Sequence, residues 1–127
     1  MHKSRLAALV IDCETDDLPR DAAFWGGALG LSVKPPKSEA GEENYLDLEE
    51  TEGQPLILLQ KVKHPSRIHL DIETDDIDAE VKRLEGLGAR RVAQVRDWWV
   101  LEAPSGQRFC VVSPQRADFP AGANDWP

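Results

Sequence analysis

Two nine-residue segments of the chain share five residues at matching places. The segment "IDCETDDLP" begins at Ile11, and "LDIETDDID" begins at Leu70. Thr15 and Thr74 stand at matching places, so the offset is 74 − 15 = 59 residues, nearly half of the 127-residue chain. A repeat of this length predicts that one structural module occurs twice. A single copy would leave one sheet face bare, so the two copies are expected to cooperate.

The pattern after each "ETDD" changes from a period of 2 to a period of 3.6, which predicts a helix over 18–31 and another over 77–89. Asp75 or Asp76 can cap the second helix, and Pro19 lies in the first turn of the first one. Three strand-like runs follow each helix. They are "LSVK", "NYLDLEE" and "PLILLQKV" in the first copy, with "PPKSEAGEE" as a connection, and "RRVAQV", "WWVLEA" and "QRFCVV" in the second.

These runs predict an α+β fold with two β-α-β-β-β modules, at about 5–63 and 66–113, and a tail at 114–127 without regular structure. Hydrophobic residues make up 41% and charged residues 30%, as in one ordinary globular domain. No apolar run approaches the roughly 18–20 residues that span a bilayer, so no membrane partner is expected. Two cysteines are too few for a disulfide framework, which favours a reducing cytoplasm.

The net charge of −8 argues against a nucleic-acid partner, because such binding depends on Lys and Arg neutralising phosphates. It is compatible with a cationic ligand or a metal, although an acidic balance also simply keeps a protein in solution. The chain lacks a Gly-rich phosphate loop and the common hydrolase motifs.

The paired modules resemble the vicinal oxygen chelate superfamily, which includes glyoxalase I, bleomycin-resistance proteins and extradiol dioxygenases, and most closely its small glyoxalase-like domain proteins. The resemblance lies in "RIHLDIETDDIDAEVKRLEGLGARRV", "WWVLEAPSGQRFCVV" and the weaker "FWGGALGL". It implies one domain over 1–127, with a curved mixed sheet around a shared cleft, and a homodimer. Ala103 departs from the family, which usually has Asp before Pro104.

Strand alternation predicts which side chains face this cleft. Ile68, Leu70 and Ile72 should pack under the helix, and the residues between them should face the opposite side. Pairing Glu102 with Gln107 across the last hairpin would set Trp99 opposite Cys110, as an aromatic wall, whereas Cys13 belongs to the core. The two thiols would then point to opposite faces, without a disulfide. The predicted lining comprises Asp12, Glu14, Gln60, His69, Asp71, Glu73, Trp99 and Cys110.

The resemblance also implies a divalent metal held by His, Glu or Gln from the first and last strand of each module. His69 matches one ligand position, but its counterpart at 69 − 59 = 10 is Val10, which cannot bind a metal. Cys110 stands where Glu is usual, and the remaining position falls near Gln60. A zinc site of His69, Gln60 and Cys110 stays open, but we expect an eroded site without metal or other cofactor. His69 is alternatively a structural residue, or a proton-transfer group whose ring Asp71 holds.

Three functions compete. The first is a metal-independent small-molecule-binding protein with an acidic cavity. The second is a metal-dependent lyase or dioxygenase of the glyoxalase type that uses His69, and the third is a partner module with a vestigial cavity. No Arg or Lys is predicted at inward positions, so a cationic or donor-rich ligand is expected rather than an anionic one such as a glutathione adduct. The predicted ligand-binding residues are His69, Asp71, Asp12, Gln60, Trp99 and Cys110.

Overall fold

A computed structural model describes residues 1–38 and 42–127. The fold is α+β, as predicted, and the described residues form two helices and eight strands of a mixed sheet. In chain order the elements are β1 (His2–Glu14), α1 (Leu18–Leu29), β2 (Tyr45–Asp47), β3 (Leu56–Val62), β4 (Arg67–Thr74), α2 (Ile77–Gly86), β5 (Arg90–Val95), β6 (Trp98–Glu102), β7 (Arg108–Val112) and β8 (Asn124–Trp126).

The chain divides into two compact units. The N-terminal unit is Ala8–Ile68, and the C-terminal unit combines Met1–Ala7 with His69–Pro127. The long strand β1 therefore supplies residues to both units, and the cut in β4 falls directly before His69.

In the N-terminal unit, α1 covers one face of a sheet with the strand order β2-β3-β1. β1 runs parallel to β3, and β2 runs antiparallel to it. The helix begins at Leu18 because the Asp17 side chain accepts a hydrogen bond from the Arg20 N–H, and it ends where Gly30 adopts a positive φ of 71°. The core beneath α1 comprises Ile11, Cys13, Leu18, Ala22, Leu46, Leu48 and Leu59. Cys13 is thus a core residue, as predicted.

One predicted strand of this unit is wrong. The "LSVK" segment forms only an isolated bridge between Val33 and Leu48 instead of a full strand. Gly26 explains why the chain stays close to the helix there, because a Cβ on Gly26 would lie 2.7 Å from the Leu31 backbone oxygen. Part of the predicted "PPKSEAGEE" connection, residues 39–41, lies outside the described residues.

The C-terminal unit contains the second module complete, β4-α2-β5-β6-β7. Its strand order is β1-β4-β7-β6-β5, and the Asp76 side chain caps α2 by accepting from the Ala79 N–H. Val81 and Leu84 of α2 pack on Leu101 and Val111, with Ile72 beside them. β5 pairs only with β6 among the described residues and is therefore a sheet edge. The homodimer stays a prediction.

The tail after β7 is ordered by a buried ion pair, and its strand β8 corrects the expectation that the tail lacks regular structure. Arg5 Nε donates to Glu73 Oε2 at 2.7 Å, and the backbone N–H groups of Gln115 and Arg116 donate to Glu73 Oε1 at 2.7 and 2.9 Å. Arg5 Nη2 also donates to Asp118 Oδ1 at 2.7 Å. The chain then continues into β8, which pairs antiparallel with β1. Glu73, predicted to line a cleft, is instead fully buried within this network.

A second buried carboxylate lies on α2. Glu80 Oε1 is 2.8 Å from His2 Nε2 and accepts from Arg83 Nε at 2.8 Å. Burial raises the pKa of Glu80, but the hydrogen bonds from Arg83, His2 and Ser4 outweigh that effect, so its pKa lies below the ordinary value. Trp126 of β8 stacks on the Arg83 guanidinium, 3.8 Å from the ring centroid, and its Nε1 donates to Ser4 Oγ.

We predict that Glu73→Gln lowers the free energy of unfolding by roughly 3 kcal/mol, because it leaves the buried Arg5 guanidinium without its main counter-charge. Chemical denaturation measures this loss, with the exposed Glu52→Gln as the matched control. A loss no larger than that of the control would show that Glu73 does not hold the tail.

The pKa of Glu80 sets a direction for stability against pH. Because this pKa is lower in the folded chain than in the unfolded one, its contribution is present above the unfolded value of 4.5 and is lost as pH falls through the lower folded value. We expect the melting temperature of the wild type to fall more steeply than that of Glu80→Gln between about pH 5 and pH 3. Parallel curves for the two proteins would contradict this assignment.

Candidate functional site

Three residues with metal-binding and proton-accepting side chains come together in the C-terminal unit. β4 and β7 pair in parallel, with Asp71 beside Cys110 and Ile72 beside Val111. Because Ile72 and Val111 pack under α2, alternation turns the neighbouring side chains to the opposite face. His69, Asp71 and Cys110 therefore share that face, and we call these three residues the trio.

The trio is tightly grouped. One ligand-type atom from each residue lies within 4.8 Å of the other two, and His69 Nε2 is 3.2 Å from Asp71 Oδ1. The side chains of His69 and Asp71 are 11% and 17% exposed, so both are largely shielded from water. Within residues 1–38 and 42–127, Asp71 Oδ1 is buried and accepts no hydrogen bond. Such an oxygen costs free energy until a donor or a cation approaches it.

Positive side chains share the trio's face, which corrects the prediction that no Arg or Lys points inward. Arg108 lies two residues before Cys110 on β7, so both side chains leave the same face. Glu102 Oε2 accepts from Arg90 and from Arg108, each at 3.0 Å. Hydrogen bonding by Arg90, and to a lesser degree by Arg108, lowers the pKa of Glu102. The face therefore carries mixed charge, and its guanidinium groups offer partners to anionic ligand groups.

Trp99 does not belong to the trio's face, so its predicted role as a cleft wall is wrong. Across the last hairpin Glu102 pairs with Arg108 and Trp99 with Val111, one residue away from the predicted register. Trp99 consequently packs on the core under α2, with the Arg91 guanidinium 4.9 Å from its ring centroid. The neighbouring Trp98 alternates onto the face that carries Cys110.

The sequence carried a signal for the correct register. The Ala103 N–H donates to the Gln107 carbonyl, so the loop contains three residues, 104–106. Gly106, the last of them, has φ 97°. Three-residue hairpin loops commonly end on a glycine with positive φ. The "PSG" segment therefore indicated this loop and, with it, the placement of Trp98.

Two other predicted site residues lie side by side in the N-terminal unit. Asp12 of β1 pairs with Gln60 of β3, and Gln60 Nε2 donates to the Tyr45 hydroxyl at 3.0 Å. Asp12 is 3% exposed, with Arg67 Nε at 3.8 Å and His64 Nε2 at 4.0 Å from its Oδ2. That Asp12 and Gln60 converge with the trio on one shared cleft stays a prediction.

Comparison with known proteins identifies a family and a fold. Residues 8–112 match the model of a family described as "Glyoxalase-like domain". A hypothetical protein from Bacillus halodurans C-125 is 17% identical, with a TM-score of 0.61 over 91% of this chain and 98% of the other. Methylmalonyl-CoA epimerase from Mycobacterium tuberculosis is 16% identical, with a TM-score of 0.59 over 87% and 88%. These identities show a shared fold alone, and none of the curated proteins matches the chain.

Within the described residues, neither helix has the length and apolar character that crossing a membrane requires.

The two tryptophans should respond differently to removal. We predict that Trp99→Ala lowers the free energy of unfolding by about 3 kcal/mol, because it empties part of the core under α2. Trp98→Ala, which alters the opposite face, should cost at most about a third as much. Urea unfolding of both variants measures the difference, and equal losses would contradict the assigned register.

Proposed function

Because this chain belongs to the glyoxalase-like domain family of the vicinal oxygen chelate superfamily, we propose that it binds a small molecule at the trio of His69, Asp71 and Cys110. The observation that carries the proposal is Asp71 Oδ1, a buried acceptor without a hydrogen bond from the described residues. A ligand that offers an N–H, an O–H or a positive charge to this oxygen adds a hydrogen bond or a charge contact to the His69 Nε2 contact at 3.2 Å, which does not have hydrogen-bond geometry.

The surroundings of the trio define what else the ligand carries. Trp98 offers an aromatic surface on the trio's face. Arg108 lies on that face too, two residues before Cys110 along β7. Arg90, Glu102 and Arg108 together carry a net charge of about +1 at neutral pH, from two guanidinium groups and one carboxylate. The ligand that fits is therefore polar and small, with a donor toward Asp71 and an acceptor or anionic group toward Arg108.

A second candidate is a metal-dependent enzyme of the glyoxalase type, and the trio itself favours it. The expectation of an eroded metal site rested on Val10 and Cys110, but it did not count Asp71 as a ligand. Imidazole nitrogen, carboxylate oxygen and thiolate sulfur are ligands that zinc accepts, and three protein ligands leave a position for substrate. The ligand-type atoms of the trio lie within 4.8 Å of one another, and Asp71 Oδ1 accepts no hydrogen bond from the described residues. Both observations fit such an ion.

In this second candidate His69, Asp71 and Cys110 would hold the ion, and a bound metal would supply Lewis acidity toward a substrate oxygen. The protein's own residues would do the rest. Arg108 would orient an anionic part of the substrate, and Trp98 would shield one side of the site from water. The reaction class would be that of a lyase or a dioxygenase.

Metal analysis of protein purified without chelators separates the two functions, together with a thermal-shift screen of small polar molecules. For the small-molecule binder we expect metal far below one equivalent, and ligands that raise the melting temperature of the wild type by mass action. His69→Ala should keep the fold and abolish the ligand-induced shift. His64→Ala, a histidine outside the trio, is the matched control and should retain it.

Stoichiometric zinc, nickel or iron that is lost in His69→Ala and Cys110→Ser, but kept in His64→Ala, would overturn the metal-independent function in favour of the enzyme. Substitution with Co²⁺ sharpens this test, because a thiolate ligand gives a charge-transfer absorption that Cys110→Ser removes. If metal is absent and the ligand-induced shifts are the same in His69→Ala and the wild type, neither function resides at the trio.

A further inference from the structure

The N-terminal unit contains a pocket that shares no residue with the trio. Its volume is about 330 Å³, and it lies between α1, the end of β1 and residues 66–68. This volume is within the range of pockets that hold small organic molecules. The lining residues that matter here are Ile11, Glu14, Asp21, Trp25, Arg67 and Ile68.

One wall of this pocket is apolar and aromatic. Trp25 packs on the core beneath α1 and still contributes to the pocket surface. Its ring lies edge-on to Phe24, with centroids 5.2 Å apart and an interplanar angle of 84°, which fixes the ring orientation. Ile68 is 58% exposed and offers further apolar surface to an occupant.

The charged part of the lining is acidic on balance. The lining contains three carboxylates and two guanidinium groups, a net charge of 2 − 3 = −1. Arg20 is bound to Asp21 at 3.3 Å, and Arg67 Nε lies 3.8 Å from Asp12, so both positive groups already have a carboxylate nearby. The Glu14 carboxylate is solvent-exposed and makes no hydrogen bond or ion pair with the described residues, whereas the Glu14 backbone N–H donates to Ser66 Oγ at 2.9 Å.

We propose that this pocket binds a small organic cation, a primary amine carried on an aromatic or apolar body. The amine would lie against Glu14, whose carboxylate is not paired with an arginine among the described residues, and the body would lie on Trp25 and Ile68. The chain's net charge of −8 adds a long-range attraction for such a ligand. An aromatic face also attracts a cation directly, so Trp25 contributes to both parts of the ligand.

The thiol in this pocket has no part in the binding. Burial raises the pKa of Cys13, and the carboxylates of Asp21 and Asp12 raise it further, which keeps the thiol protonated. The pocket therefore offers charge and an aromatic surface, but no nucleophile.

The test uses the intact chain with benzylamine as the probe, followed by ¹⁵N–¹H NMR. Benzyl alcohol is the neutral counterpart of the same size, and benzoate is the anionic one. We expect benzylamine to shift the amide signals of residues 11–14, 20–25 and 66–68, and to bind more tightly than either counterpart. Higher salt should weaken its binding.

Glu14→Gln should weaken benzylamine binding about threefold, the effect of removing one exposed charge partner. Glu52→Gln, at an exposed position outside the pocket, should leave the binding unchanged. Equal binding of benzyl alcohol, tighter binding of benzoate, signal shifts outside the pocket, or equal effects of the two variants would overturn the proposal. Because His69→Ala does not alter this pocket, benzylamine binding by that variant is measured independently of the function proposed for the trio.

Discussion

Packing of Ile72 beneath α2 determines where every side chain of β4 points. Side chains alternate along a strand. Packing of Ile72 against Val81 and Leu84 therefore turns Asp71 to the other face, together with the residues two positions before and after it. A shift of one residue would place Asp71 under the helix, where its charge would lack water and donors. The parallel pairing with β7 then brings Cys110 beside Asp71. The placement of the trio on one face of the C-terminal unit thus depends on an apolar contact on the opposite face.

Two carboxylates on that face of β4 have different surroundings, and this contrast locates the candidate site. Glu73 accepts from the Arg5 guanidinium and from two backbone N–H groups, so its burial is offset within the protein. Asp71, two residues earlier, keeps one buried oxygen without a hydrogen bond from the described residues. The first carboxylate is structural, because its hydrogen-bonding capacity is used to hold the tail. The second has a His69 nitrogen 3.2 Å away but retains hydrogen-bonding capacity for a ligand, a cation or water.

The sequence predicts the fold well because the repeat, the caps and the alternation are local signals. The Asp76 cap, the bounds of β5, and the opposite facing of Ile72 and Asp71 follow from residues close together in the chain. The strand β8 in the tail does not follow from local signals, because it pairs with β1 at the other end of the chain, and the tail is held by Arg5 through contacts that join residues more than 100 positions apart. Asp71 was predicted to line a ligand site, but not as a candidate metal ligand beside His69 and Cys110, because the resemblance supplies ligand positions one per strand.

Misplacement of Trp99 has a separate cause, a loop counted one residue too long. A four-residue loop and a three-residue loop predict opposite faces for every residue of the preceding strand. The positive φ of Gly106 decides between them in the structure. The predicted inward position of Cys110 on β7 is right, but the same alternation places Arg108 inward as well, which contradicts the expectation of no inward Arg or Lys.

Protonation connects the two functions proposed for the trio. While the Cys110 thiol holds its proton, the trio carries the single negative charge of Asp71, which matches a donor or one positive charge on a small molecule. Loss of that proton gives two negative charges and a soft thiolate, a set that matches a divalent ion of the zinc type rather than magnesium or calcium. Metal binding therefore has to expel a proton that small-molecule binding leaves in place. The two occupants compete for the same atoms, so occupation of the trio by one excludes the other.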